Sequence, residues 1–397
     1  MTSFLVRFKK GNMQKSMIEG NTLKLILNFS IPLLLGNLFQ QFYNVVDAAI
    51  VGQTLGSKAL AAVGASSSVQ FLILGFCMGI CQGFAIMVSQ SFGAKRFDEM
   101  HTYIYAGAVW TAITAFVVSI LVVVFCADIL HILQVNDEIF KDAYAYLVVI
   151  FAGIPFTLLY NYLSAILRAI GDSKTPFIFL AFSAVLNIGL DFFCILVLKW
   201  GCAGAAIATI FAQAVSGILC LLLIAFKVNV LHIPKSSRYV DKNHSIKLLA
   251  MGVPMGLQFS ITAIGSMVMQ SANNALGTIY VSGFTAGMRI KSLMMCPFDA
   301  LGAAVSTFLS QNYGAFKLDR IQDGYHKGVM VSILYGAFAC VVMVFFGRIL
   351  SMMFVSANES QVLNAITWAD QAAWVAATLV LIPLWISAMR AVQKKMS

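Results

Sequence analysis

One apolar stretch near the amino terminus carries side chains that could bind a cation. Within residues 37–52, Asp47 supplies a carboxylate, and amides stand at Asn37, Gln40 and Asn44. On a helix these four residues fall within an arc of roughly 80°. A carboxylate near the middle of a bilayer costs about 2.5–3.5 kcal/mol on insertion scales, so it usually faces protein or water. We therefore interpret the stripe as a candidate ion or substrate site, against the alternative that Asp47 only fixes helix packing.

A second polar pair lies farther along the chain, in another apolar stretch. Asn187 and Asp191 are four residues apart, which places them on one face of a helix. A carboxylate combined with an amide carbonyl offers hard oxygen ligands, which suit Na+. Asp47 could likewise carry a proton or neutralise a bound Na+. The competing interpretation is that Asp191 lies at the outer membrane edge, since Lys199 follows eight residues later.

The elements that position these residues must be membrane helices. The chain has 397 residues, of which 60% are hydrophobic and 11% are charged, and its mean hydropathy is +0.87. Soluble domains carry about 25% charged residues, so the composition predicts a polytopic membrane protein. The net charge of +10 does not indicate nucleic-acid binding, because the basic residues are dispersed among the loops.

Ten apolar runs are long enough to span a bilayer. They lie at 24–51, 60–91, 104–126, 143–167, 175–198, 203–226, 248–272, 279–311, 328–354 and 363–389. If the amino terminus is cytoplasmic, twenty Lys and Arg residues fall on the cytoplasmic side and four on the other. The positive-inside rule therefore predicts that both termini are cytoplasmic.

The sequence that follows the second run returns in the second half of the chain. Residues 89–98 (SQSFGAKRFD) are similar to residues 310–319 (SQNYGAFKLD), at a shift of 221. Two related halves that start on the same side of the membrane form a parallel repeat, an architecture used by alternating-access transporters. The prediction is an all-α fold with two pseudo-symmetric lobes. Its parts are an amino-terminal segment 1–23, a six-helix lobe 24–226, a basic linker 227–247 and a second lobe 248–397 of about four helices.

Several stretches together resemble the multidrug and toxic compound extrusion (MATE) family. They are Ile31-Pro32, Gln40 through Asp47, Leu60 through Gly64, residues 167–176 (LRAIGDSKTP), Asn187 through Asp191 and Gln311 through Ala315. The resemblance covers residues 24 to about 360. It implies a secondary antiporter of twelve helices in two lobes, which exports cationic amphipathic drugs in exchange for Na+ or H+.

The resemblance also implies where the ion binds. The family's cation site maps onto Asp47, Asn187, Asp191 and Thr209, all in the first lobe. The second lobe lacks a matching carboxylate, since Asp47 maps onto Val268 or Met269. As residues of the substrate cavity we expect Gln40, Tyr43, Asn44, Met288 and Asp299.

The sequence departs from the family pattern near its end, where two of twelve helices are missing. If the run at 363–389 is the family's last helix, the chain has an internal deletion around residues 360–370. If that run is the fourth helix of its lobe, the chain is truncated at its carboxy terminus. We favour the deletion, and either change could leave an inactive relative.

The expected protein is a monomer in the cell inner or plasma membrane that binds small organic cations within the lipid bilayer. We expect no nucleic acid, no cofactor other than Na+ or H+ as coupling ion, and no enzymatic activity, because no Walker loop or nucleophile elbow occurs. A flippase for lipid-linked precursors is one alternative, and it would call for a cavity ringed by arginines. An ion channel is another, although it would not call for two similar halves around a carboxylate.

Overall fold

The described part of the chain is built from helices, turns and short connections. The computed structural model describes residues 16–274 and 278–351, together with Arg390. No strand occurs within these residues, and the predicted all-α class is confirmed. The helices are α1 (Thr22–Leu55), α2 (Ser57–Gly93), α3 (Phe97–Val124), α4 (Cys126–Ile132), α5 (Asp137–Ala152), α6 (Ile154–Ala169), α7 (Lys174–Phe192), α8 (Gly201–Lys227), α9 (Lys242–Asn274), α10 (Thr278–Gly314) and α11 (Leu318–Ser351).

Nine of the ten predicted spans correspond to these helices. Within the described residues, eight helices are long and apolar enough to cross a bilayer, and the bent pair α5 and α6 makes a ninth span. The protein is therefore a polytopic helical membrane protein, as predicted. The tenth predicted span, 363–389, lies outside the described residues, as does the proposed deletion. The short helix α4 was not predicted, and α9 begins inside the predicted linker, at Lys242.

The fourth span is broken, although the sequence predicted one continuous run at 143–167. The axes of α5 and α6 differ by 47°. Pro155 stands in the first turn of α6, where a residue without a backbone N–H is tolerated. Gly153 lies at the break and faces Ile210 of α8 so closely that a Cβ atom would collide with it. Glycine and proline together thus end one helix and start the next.

Helix α7 ends in a wider turn beside one of the candidate site residues. A π-helical turn, Phe193–Val197, follows Phe192 directly and completes the predicted fifth span. Such turns within helices often occur at functional positions. Asp191 lies just before this turn, six residues before the span ends at Val197.

Two groups of helices meet along α2 and α9, whose backbones touch. A Cβ atom on Gly79 would lie 2.5 Å from the carbonyl oxygen of Met255. A Cβ atom on Gly83 would lie 2.5 Å from that of Met251. Any side chain larger than hydrogen would force these helices apart, so glycine is required at both positions.

The helices approach most closely at the end that the charge distribution predicts to be cytoplasmic. There Gly93 faces the carbonyl of Gln311, and Gly314 faces the carbonyl of Gln90. This reciprocal contact follows the sequence repeat, because the two glycines and the two glutamines are each 221 residues apart. The repeated motif therefore forms the seam between the two halves of the chain.

The helices diverge toward the opposite end. Gly64 of α2 and Gly265 of α9 both meet open space within 4 Å of a Cβ position. The described helices are thus closed at the predicted cytoplasmic end and open toward the other.

Candidate functional site

Close packing among α1, α7 and α8 brings the two polar stretches of the sequence together. Gly36 of α1 lies against Leu180 of α7, with 3.6 Å between a Cβ position on the glycine and the leucine side chain. Helix α7 is tied to α8 by Ser183, whose hydroxyl donates to the carbonyl of Ala212 at 2.8 Å. Small residues permit these approaches, and they place Thr209 of α8 beside α7 and α1.

Two carboxylates form the centre of the site. Asp47 is 8% exposed and Asp191 is 0% exposed, and the two carboxylates lie within electrostatic reach of each other. The Oδ1 atom of each has no hydrogen-bond partner among the described residues. In the same part of the chain, no Lys or Arg forms an ion pair with either aspartate. Two carboxylates so close to each other favour a shared proton or a bound cation.

A chain of hydrogen bonds continues from Asp191 to α8 and back to α1. With its amide oriented by its neighbours, Asn187 donates to Oδ2 of Asp191 at 3.1 Å. Its amide oxygen accepts from the backbone N–H of Thr209, also at 3.1 Å. The hydroxyl of Thr209 lies 3.2 Å from that of Tyr43. The structure thus brings Asp47 and these residues into one cluster.

A small cavity lies beside this carboxylate cluster. Its volume is ≈ 20 Å³, which is enough for about one water molecule or an ion of similar size. The amide oxygen of Gln213 is buried without a hydrogen-bond partner among the described residues. The cavity is lined by Gln40, Tyr43, Leu180, Ser183, Ala184, Asn187, Thr209, Ala212 and Gln213.

Three polar residues that the sequence reasoning passed over belong to the same region. Gln213 follows Thr209 by one turn of α8, so its polarity within an apolar run was a usable signal. Tyr146 of α5 lies within electrostatic reach of both carboxylates and close to Gln70 of α2. No pattern in the sequence relates Tyr146 and Gln70 to Asp47, because their proximity depends on how α2 and α5 pack.

Three residues expected in the substrate cavity do not line this small cavity, and their place in a substrate cavity stays a prediction. Asn44 is exposed on α1, and its amide donates to Gln41 of the same helix at 3.4 Å. Met288 and Asp299 lie on α10, and neither lines the small cavity. Asn37 donates to a backbone carbonyl of α10 at 3.4 Å, so the polar stripe of α1 divides between two partners.

The cluster is suited to binding a small cation and not to covalent chemistry. It offers carboxylate, amide and hydroxyl oxygen atoms, which are suitable ligands for Na+, and its carboxylates can also bind a proton. Neither the cavity nor the carboxylate pair includes a nucleophile beside a general base. The arrangement can therefore hold and release an ion as its surroundings change.

Comparison with known proteins relates the chain to a family. The family model described as MatE matches residues 32–193 and 254–394. The chain is 33% identical to the probable multidrug resistance protein YpnP of Bacillus subtilis, over 86% of this chain and 76% of that protein. It is 27% identical to the probable multidrug resistance protein YoeA of the same species, over 90% of this chain and 76% of that protein. It is 23% identical to an FAD transporter of Shewanella oneidensis, over 86% and 76% of the two chains.

Solved structures share the fold. The outward-facing conformation of a multidrug resistance MATE family transporter of the MOP superfamily aligns with a TM-score of 0.82 at 21% identity, covering 88% of this chain and 79% of that chain. A MOP superfamily transporter from Pyrococcus furiosus aligns with a TM-score of 0.81 at 22% identity, covering 88% and 77%. At these identities the similarity shows the fold alone.

Proposed function

The chain belongs to the MatE family of membrane transporters, and from this premise we propose that it exports small organic cations in exchange for H+ or Na+. It is a multi-pass membrane protein and not an enzyme. The names of its curated relatives, which include multidrug resistance, support drug-like compounds as substrates.

The buried pair of Asp47 and Asp191 is the observation that carries the proposal. Two unit charges about 4 Å apart repel each other by about 4 kcal/mol at an effective dielectric constant of about 20. A bound proton or Na+ removes this repulsion, and Asn187 and Thr209 supply further oxygen atoms for the ion. The pair therefore favours one bound cation whenever α1 and α7 close around it.

Exchange follows if the ion and the organic cation compete for the same negative charge. A ligand shifts a conformational equilibrium only as far as its affinities for the two states differ. Ion binding stabilises the state in which α1, α7 and α8 enclose the carboxylate cluster, and this state binds the organic cation less well. By reciprocity, the organic cation weakens ion binding by the same factor.

The test is ethidium transport by purified protein in liposomes, with a Na+ gradient and a pH gradient imposed separately. Asp47→Asn and Asp191→Asn each remove one charge and keep the shape of the side chain. We expect each substitution to lower gradient-driven ethidium transport about tenfold or more. With one of the two charges removed, no repulsion remains for a bound cation to offset, so ion binding and transport are no longer coupled. The gradient that drives the unaltered protein identifies the coupling ion.

The matched control is Asp137→Asn, which removes an exposed carboxylate at the start of α5. Transport by this variant should stay within about twofold of the unaltered protein. Equal transport by Asp47→Asn and the control would contradict the role given to the pair. Absence of ethidium transport by every chain, at normal insertion, would favour the flippase or the inactive relative.

A further inference from the structure

The segment that precedes α1 is held by side chains from the second half of the chain. In this amino-terminal segment, residues 16–21, Met17 is 2% exposed, and its N–H donates to Oε1 of Gln311 at 2.8 Å. The amide of Asn312 donates to the carbonyl of Met17 at 3.2 Å. Gln311 and Asn312 are fully buried. The segment therefore closes over two polar side chains that depend on it for hydrogen bonds.

Arg320 of α11 binds both the amino-terminal segment and Asn312, the buried residue that also bonds to this segment. Its Nη1 donates to the carbonyl of Gly20 at 2.9 Å, and its Nη2 donates to that of Met17 at 3.1 Å. Its Nε donates to Oδ1 of Asn312 at 3.0 Å. The guanidinium also lies 5.3 Å from the ring centroid of Phe308. The planar guanidinium has donors on three nitrogen atoms and can direct one to each of the three acceptors, whereas all donors of a lysine ammonium group lie on a single nitrogen atom.

Two further bonds extend this contact. Nε2 of Gln311 donates at 2.9 Å to the carbonyl of Ala169, the last residue of α6. Nζ of Lys317 donates at 2.9 Å to the carbonyl of Ile18. The last carbonyls of a helix lack partners within it, so Gln311 supplies a bond that α6 cannot make for itself. Side chains of the second half thus bind backbone of the first half at several points.

The sequence repeat does not by itself require this arrangement. At the shift of 221 residues, Arg320 corresponds to Glu99 and Lys317 to Arg96. In the first half, Arg96 and Glu99 form an ion pair with each other at 2.9 Å at the start of α3. The second half replaces this local pair with bonds to a distant segment. The difference indicates a role that belongs to one half only.

We propose that Arg320 is a positioning residue that acts as a latch. It fixes the amino-terminal segment to the second half of the chain and, through Asn312 and Gln311, it fixes α6 there as well. The latch thereby holds the predicted cytoplasmic end closed. This inference rests on the proposed function, because exchange by alternating access requires that end to open. Opening separates α1 and α6 from α10 and α11, so it must break the bonds of Arg320 and Gln311. Weakening those bonds shifts the equilibrium toward the open state.

The test measures the distance between the tips of the two repeated turns. Lys95 and Phe316 occupy equivalent positions there, and both are exposed. Genetically encoded nitroxide amino acids at these two positions report the distance by pulsed electron paramagnetic resonance in lipid nanodiscs, without ions or substrate gradients. We expect one short distance in the otherwise unaltered chain. In Arg320→Ala and in Arg320→Lys, a longer distance should gain at least about threefold in population.

Arg96→Ala is the matched control, because within the described residues Arg96 forms its ion pair with its neighbour Glu99 and not with the amino-terminal segment. It should retain the short distance. A shortened chain without residues 1–20 keeps Arg320 but lacks the backbone carbonyls that Arg320 binds, so its cytoplasmic end should open as in Arg320→Ala. If Arg320→Ala fails to insert into the membrane, the shortened chain provides the test instead. A merely structural role would lower the melting temperature of these variants without lengthening the distance.

Unchanged distances in Arg320→Ala and in the shortened chain would overturn the proposal, as would equal opening in Arg96→Ala. The distance does not depend on transport. Opening of the variants without ethidium export by any chain would therefore support the latch and contradict the proposed function. Normal export without opening would contradict the latch alone.

Discussion

The side chains of the carboxylate cluster divide into those that supply charge and those that position it. Asp47 and Asp191 supply the charge, whereas Thr209 makes two different bonds. Its hydroxyl reaches Tyr43 of α1 at 3.2 Å, and its backbone N–H holds the amide of Asn187 at 3.1 Å. Only the bond to Tyr43 depends on the Thr209 side chain, so a substitution of Thr209 can remove that bond and keep the backbone bond to Asn187.

Thr209→Val removes the hydroxyl and leaves the backbone bond to Asn187 in place. A single intramolecular hydrogen bond contributes about 1 kcal/mol net, so we expect the half-saturating concentration of the coupling ion to rise about fivefold. The measurement is the ion dependence of ethidium transport in liposomes. Thr54→Val is the control, because the Thr54 hydroxyl donates to the carbonyl of Ile50 in its own helix and so joins no two helices. An equal rise in both variants would refute the bridging role.

Some residues of this cluster could be predicted from the sequence because they are costly where they stand. Asp47, Asn187 and Asp191 are polar side chains in runs that are otherwise apolar, and that contrast is visible without a structure. Gln70 stands in the apolar run 60–91 with the same contrast, whereas Tyr146 carries no such signal. Tyrosine is common near membrane boundaries, and the position of Tyr146 beside the carboxylates results from the packing of α5 on α2 and α8.

Among the elements, the broken span α5 and α6 shows what apolar length can and cannot predict. The run at 143–167 was placed correctly, but its length says nothing about its direction. The 47° bend depends on Gly153 and Pro155, and on the approach of Gly153 to Ile210. Ile210 is the neighbour of Thr209 on α8, so the bend and the carboxylate cluster share one helix.

Gly153→Ala should destabilise the protein through that contact. The added Cβ atom would collide with three atoms of the Ile210 side chain, and overpacking typically costs about 1–3 kcal/mol. The matched control is Gly189→Ala on α7, where a Cβ atom meets nothing within 4 Å. Alanine in a helix interior is favoured by about 0.5–1 kcal/mol, so that variant should be slightly stabilised. The measurement is the melting temperature of each purified variant, which should fall for Gly153→Ala and rise slightly for Gly189→Ala. Shifts of both melting temperatures in the same direction would count against the packing argument.

At the scale of the whole molecule, glycine-to-backbone contacts decide which end is closed. Gly79 and Gly83 let α2 touch α9 in one half of the membrane, while Gly64 meets open space in the other half. The repeat in the sequence predicted two related halves, and it also identified the turns that meet. It could not predict which end closes, because both glycine sets lie in the same apolar runs.

Gly83→Leu places a large side chain between the two helices at the closed end. We expect it to prevent closure and to lower ethidium transport more than about tenfold, at normal insertion, because alternating access needs both states. Gly64→Leu places the same side chain on the same helix where space is open in this conformation, so it should leave the predicted cytoplasmic end closed. The distance between nitroxides at Lys95 and Phe316 gives the comparison, and equal lengthening in both variants would show that the seam is not the sensitive position.

The reciprocal contact of Gly93 with Gln311 and of Gly314 with Gln90 has a further consequence for energy conservation. Backbone presses on backbone there with no side chain between, which leaves no room for a file of water molecules. Protons and metal ions cross membranes along such files, so under the proposed exchange the seam would act as an insulator. An exchanger open to one side could then bind its ion without dissipating the gradient that the cell maintains.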